Sequence, residues 1–202
     1  MNKNVDQEMR KVILDLLDKL NTIEYINPES IPNIELYMDQ VTSFFDGQLA
    51  GSKRKDDDKL LTKTMINNYT KNDLLPPPVK KKYSKEHMLS LIFIYYLKNI
   101  VSINDIHSIL NPITEKYFGN KDGHDMQDIY TEIFRMEKEE SRKILKEFSK
   151  KYAISKETFA DFPEEDKEML QAFSYICLLS FDVYMKKQLI EKIVDDVFTD
   201  QN

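Results

Sequence analysis

The chain has little of what staples, bends or anchors a protein. Of its 202 residues a single one is cysteine, Cys177, which excludes an internal disulfide and a cysteine-rich zinc site. Only 4 glycines occur, too few for a turn-rich β architecture, and the abundance of Lys, Glu, Asp, Leu and Ile favours helices. No apolar run approaches the roughly 20 residues of a membrane-spanning helix, so no membrane is expected among the partners. The opening segment, Met1 to Arg10, is polar and contains acids, unlike a signal or transit peptide. A cytoplasmic protein is the expectation. Cys177 lies in an apolar stretch, where a buried, inert thiol is expected.

What is present is enough for a packed core: 41% of residues are hydrophobic, with 11 Tyr and 11 Phe, so general disorder is excluded. Helical spacing runs through Val5, Met9, Val12, Ile13, Leu16, Leu17 and Leu20. A second helix is predicted from about Asn33, as its cap, to about Leu49. Residues 51–59 hold no apolar side chain and predict an exposed, mobile loop. Ser84 opens a helix that is apolar nearly all round from Leu89 to Leu97, hence the most buried one. Ser102 caps a further helix that Pro112 is expected to interrupt or bend. A long charged helix is predicted from Asp125 to about Tyr152. The last stretch, Met169 to Val197, has the length and apolar content of a core helix or a dimerisation helix.

Net charge is −6, but it is unevenly placed. Between Gly51 and Lys98 there are 11 basic residues against 5 acidic ones, leaving 18 against 30 elsewhere. Such segregation suggests one segment that meets a polyanion and another that does not.

The stretch from Leu61 to Ser84 carries the most information. Thr62 can accept a hydrogen bond from an unpartnered early N–H and so start a helix. Met65, Ile66 and Tyr69 fall on one side of that helix. Lys63, Thr64, Asn67, Asn68 and Lys71 fall on the other, and all can donate to phosphates or base edges. Pro76-Pro77-Pro78 cannot continue the helix, and Lys80, Lys81, Lys82 and Tyr83 follow as a basic arm. Tyr69 is expected in the core, whereas Tyr83 suits either packing or contact.

Ile66 to Leu75, the prolines, the lysine arm with Tyr83-Ser84 and the apolar helix after it together resemble the DNA-binding domain of MerR-type transcription regulators. Tyr69 matches the tyrosine that closes the family's recognition helix. Leu74 and Leu75 match its aliphatic step, Lys81 its wing arginine, and Tyr83-Ser84 the Tyr-Ser of the wing. Leu91 and Ile94 match helix-core positions, and Ser102-Ile103-Asn104-Asp105-Ile106 the short element beyond. Asn67 stands in place of the family's recognition-helix arginine and Asp73 in place of its glycine. The loop before the polar helix is far longer than a helix-turn-helix turn of 3–4 residues. Most of the chain also resembles a bacterial domain of unknown function with the same winged-helix signature.

The resemblance implies a mainly α fold: a winged helix-turn-helix at residues 33–118 with a small β wing, preceded by an amphipathic helix and linker at 1–32 and followed by an all-α region at 119–202. It implies a sequence-specific regulator that binds double-stranded DNA through Lys63, Thr64, Asn67, Asn68, Lys71, Lys80, Lys81, Lys82 and Tyr83. It further implies a homodimer, with the C-terminal helices pairing copies or receiving a small-molecule or protein effector. The alternative is a non-catalytic interaction module that keeps the fold without binding DNA, which Asn67, Asp73 and the net acidity favour. No catalytic activity, cofactor or metal is expected. His87, His107 and His124 are scattered without a second ligand at metal spacing, and no phosphate loop or nucleophile elbow is present.

Overall fold

A computed structural model of the chain describes residues 5–20, 26–55 and 57–199. It is mainly helical: α1 (Val5–Leu20), α2 (Met38–Gln48), α3 (Lys63–Lys71), α4 (Lys85–Leu97), α5 (Ile103–Tyr117), α6 (Met126–Lys156) and α7 (Glu164–Ile193), with a π-helical end at Val194–Thr199. Two short strands, β1 (Leu36–Tyr37) and β2 (Lys82–Tyr83), pair antiparallel, Leu36 with Tyr83 and Tyr37 with Lys82. No helix among the described residues is long and apolar enough to cross a membrane. The fold divides into two compact units, one formed by residues 25–136 and 190–202, the other by 1–24 and 137–189.

In the first unit α4 is the axis: every residue from His87 to Tyr95 is buried. Around it pack Val41 and Phe45 of α2, Ile66 and Tyr69 of α3, Ile106 and Leu110 of α5, and Met126 and Tyr130 at the start of α6. Each such aliphatic or aromatic side chain contributes about 1.5–3 kcal/mol on burial. Tyr130 donates its hydroxyl hydrogen to the Ile26 carbonyl (2.6 Å), which ties down the segment before β1. The long connection between α2 and α3 is pinned at both ends to α4. Tyr95 donates to Ser52 Oγ (3.0 Å), and Lys98 Nζ donates to the Leu60 carbonyl (2.7 Å). Lys98 is therefore part of the packing, and burial lowers its pKa.

Helix starts follow local chemistry. Met65 N–H donates to Thr62 Oγ1 (3.2 Å), and Asp105 N–H donates to Ser102 Oγ (3.1 Å) while Ser102 N–H donates to Asp105 Oδ2 (3.0 Å), a reciprocal capping box. Two expectations are corrected. The second helix starts at Met38, not Asn33, because Leu36 and Tyr37 are drawn into the ladder with β2. Its start is closed by Tyr37 N–H donating to Gln40 Oε1 (2.9 Å). Pro112 does not interrupt α5, which continues to Tyr117; proline removes a single N–H from the helical ladder.

The second unit contains an antiparallel pair of helices. The Tyr152 and Tyr175 rings meet edge to face at 5.6 Å, and Tyr175 donates to the Phe148 carbonyl (3.2 Å). Gln171 Nε2 donates to the carbonyls of Lys156 (2.9 Å) and Thr158 (3.2 Å) at the connection. Lys151 pairs with both Glu147 and Asp182. The inner face of α7 is thus Gln171, Tyr175 and Asp182. Cys177, two positions past Tyr175, turns outward and is exposed, so the expected buried thiol is corrected.

Candidate nucleic-acid interface

The polar helix α3 is held by its apolar side. Ile66 and Tyr69 are buried, and burial raises the Tyr69 phenol pKa, so Tyr69 is a packing residue. Lys63, Thr64, Asn67, Asn68 and Lys71 are all exposed, leaving one donor-rich face of the helix open to solvent. The helix ends in a Schellman motif, with Leu74 N–H donating to the Tyr69 carbonyl (2.9 Å) and Asp73 N–H to the Thr70 carbonyl (3.4 Å). Asp73 takes φ +56°, the left-handed conformation that glycine adopts without strain. The position where the resembled family has glycine is therefore a position whose backbone favours glycine.

The arm is a tight hairpin. Val79 bridges antiparallel to Lys82, with Lys82 N–H donating to the Val79 carbonyl (2.9 Å). The two residues between them, Lys80 and Lys81, have φ +50° and +65°. Two successive positive φ values are those of a type I′ turn, whose twist matches paired strands and whose preferred residues are Asn and Gly. Two exposed lysines occupy those positions instead. A left-handed conformation costs a side-chain-bearing residue about 1–2 kcal/mol.

Tyr83 fastens this arm. It is 3% exposed and its phenol pKa is raised by burial, so its expected contact with DNA is corrected: the side chain is part of the core. Its ring meets His87 edge to face at 5.5 Å, and His87 meets Phe118 at 4.8 Å. His87 Nδ1 accepts from Ser84 N–H (3.0 Å) at the start of α4. Nε2 is buried without a hydrogen bond. Burial lowers the His87 pKa, opposed in part by the backbone carbonyls of Pro77 and Pro76 and by the charge of Glu35.

The lysines differ in their surroundings. Lys63 pairs with Asp39. Lys82 lies 3.5 Å from Glu35 and 5.7 Å from the centre of the Tyr37 ring. Among the described residues, Lys71, Lys80 and Lys81 have no carboxylate at ion-pair distance. Glu35, Tyr37 and Asp39 escape the sequence reading, since only strand pairing and the α2–α3 packing bring them to these lysines. His87 carried a local signal, three residues after Ser84 as in a capping box.

These features define a class: a small helical domain with a two-stranded antiparallel arm, an open donor-rich helix and a lysine tip. The chain belongs to the family described as Domain of unknown function (DUF1836), whose model matches residues 26–133. No curated protein and no solved structure matches the chain.

Proposed function

We propose that this protein is a sequence-specific DNA-binding regulator of the MerR-like winged-helix type, acting as a homodimer. The observation that carries the reading is the lysine pair at the hairpin tip. Lys80 and Lys81 keep a strained backbone where glycine and asparagine are favoured, and their ammonium groups are exposed. Strain that persists at a surface tip is characteristic of a functional contact. In this reading Lys80, Lys81 and Lys82 lie against phosphates. Lys63, Thr64, Asn67, Asn68 and Lys71 of α3 face the major groove, where an asparagine paired with adenine discriminates by about 1–3 kcal/mol. The left-handed residue closing α3, the buried tyrosine at its end and the β arm support the resemblance.

Electrophoretic shift with the protein's own upstream DNA tests it. Changing Lys80, Lys81 and Lys82 together to Ala should weaken binding and flatten the slope of log K against log salt by about 2–3, one counterion for nearly each phosphate lost. An unchanged slope removes the arm from the interface. One specific observation favours a second reading, a protein-interaction module: Asp39 and Glu35 already neutralise Lys63 and Lys82. Absence of binding to every DNA at low salt selects that module.

A further inference from the structure

The geometry points to the α2–α3 connection as a second phosphate-binding arm, with Arg54, Lys55 and Lys59 set against the DNA backbone beyond α3 from the lysine hairpin. This rests on the DNA-binding reading and adds to its interface an element that the resembled pattern does not contain.

Residues 49–62 separate the end of α2 from the start of α3, where a helix-turn-helix has about 3–4 residues. Connections of this length in a compact domain are uncommon and mostly functional. This one is exposed, as expected, but it is a built turn. Its ends are held at Ser52 by Tyr95 and at the Leu60 carbonyl by Lys98. Between them Asp58 Oδ2 accepts from both Arg54 N–H and Lys55 N–H (2.9 Å each), and Asp58 N–H donates to the Lys55 carbonyl (3.1 Å). The carboxylate of Asp58 is thus engaged by backbone donors, while the side chains of Arg54, Lys55 and Lys59 are exposed. Among the described residues, none of these three has a carboxylate at ion-pair distance.

The acids of the β1–α2 segment place this turn in line with the hairpin and α3. Glu35 meets Lys82 of the hairpin, Asp39 meets Lys63 of α3, and Asp46 meets Lys53 of the turn (3.9 Å). Asp39 and Asp46 are seven residues apart, hence on one side of α2 and about 10 Å apart along its axis. Hairpin, polar helix and turn therefore follow one another along that side, with α3 in the middle. Lys53, Lys59 and Lys63 also line one recess with Thr42 and Asp46, which joins the turn to the first residue of α3. A duplex laid on α3 carries its phosphates past both neighbours, one charge per about 1.7 Å of helix axis. Contact with a phosphate needs a positioned cation and no base-edge geometry, and three exposed cations on a fixed turn supply that.

Salt titration of the shift with the protein's own upstream DNA tests the turn. Arg54→Ala, Lys55→Ala and Lys59→Ala together should flatten the slope of log K against log salt by about 2–3. The loss should add to that of the hairpin variant, and the preference for the specific site over altered sites should stay the same. Circular dichroism and the urea midpoint should match the unaltered protein, since all three side chains are exposed. Position is read separately, by iron–EDTA tethered at single cysteines in a Cys177→Ser background. A tether at Asp57→Cys, an exposed site in the turn, should cut DNA on one flank of the α3 contact. A tether at Val79→Cys, exposed beside the hairpin tip, should cut on the other flank. An unchanged slope overturns the inference and leaves the turn's cations for an acidic protein. Cutting at the same bases from both tethers, or none from the turn, also overturns it. A slope that drops in the hairpin variant but not in the turn variant defeats this inference alone. If the unaltered chain binds no DNA, it falls together with the DNA-binding reading.

Discussion

Of the four described non-glycine residues in left-handed backbone conformations, Phe159 lies between α6 and α7, and the other three separate function from stability. Asp73, Lys80 and Lys81 all have left-handed φ values. Asp73→Gly relieves that strain at the end of α3 and should stabilise the protein by about 1 kcal/mol, visible in urea denaturation, with DNA affinity unchanged. Lys80→Asn with Lys81→Gly installs the preferred type I′ pair and should stabilise by about 1–2 kcal/mol. The same double change should weaken DNA binding and lower the salt slope by about 2. Stabilisation without loss of binding would detach the strain from function. His87 gives a pH signature. Its folded pKa lies below the ordinary 6.5, chiefly through burial, so on acidification the unfolded chain takes up the proton first. The contribution of the neutral ring is complete above about pH 6.5 and declines as pH falls from there towards the folded value. His87→Gln keeps an acceptor for Ser84 N–H, as Gln40 does for Tyr37. Urea midpoints between pH 7 and 5 should lose part of their slope in that variant.

The elements show where local pattern suffices and where it does not. α3 was legible from Thr62, the apolar spacing of Met65, Ile66 and Tyr69, and the prolines, because cap, periodicity and stop are all near in sequence. α4 was legible because it is apolar all round. The start of α2 was not, since Leu36 and Tyr37 pair with residues some 46 positions away, a choice that no local propensity records. The continuation of α5 past Pro112 shows tertiary packing, through Leu110 and Thr114, overriding a local breaker. The candidate site was legible only as a list of donors; its acidic partners required the fold. Those partners yield a prediction at this scale. Glu35→Gln with Asp39→Asn frees Lys82 and Lys63 from their ion pairs, which are exposed and worth at most about 1 kcal/mol each. DNA binding at low salt should therefore tighten by about two- to fivefold, with a steeper salt slope. Unchanged affinity would mean that neither lysine meets phosphate.

At the scale of the molecule, the family-matched segment 26–133 is not all of the unit it belongs to. That unit also takes in residues 190–202. Val194, at the start of the π-helical end, is 2% exposed, and this end packs on α5; Ile190 packs against the same core. The chain that leaves this unit along α6 therefore returns to it at the end of α7, and its stability depends on residues far outside the matched segment. Val194→Ala empties a buried site and should cost about 2 kcal/mol by the transfer and cavity contributions together. Val197→Ala, three residues on and half exposed, should stay within about 0.5 kcal/mol. Hydrogen exchange reads where the loss falls. Amides of α5 and α4 should exchange faster in Val194→Ala than in Val197→Ala, because packing against α5 is what the valine supplies. If protection in α4 and α5 were the same in both variants, the C-terminal end would be resting on the unit without supporting it, and residues 26–133 would carry their stability alone.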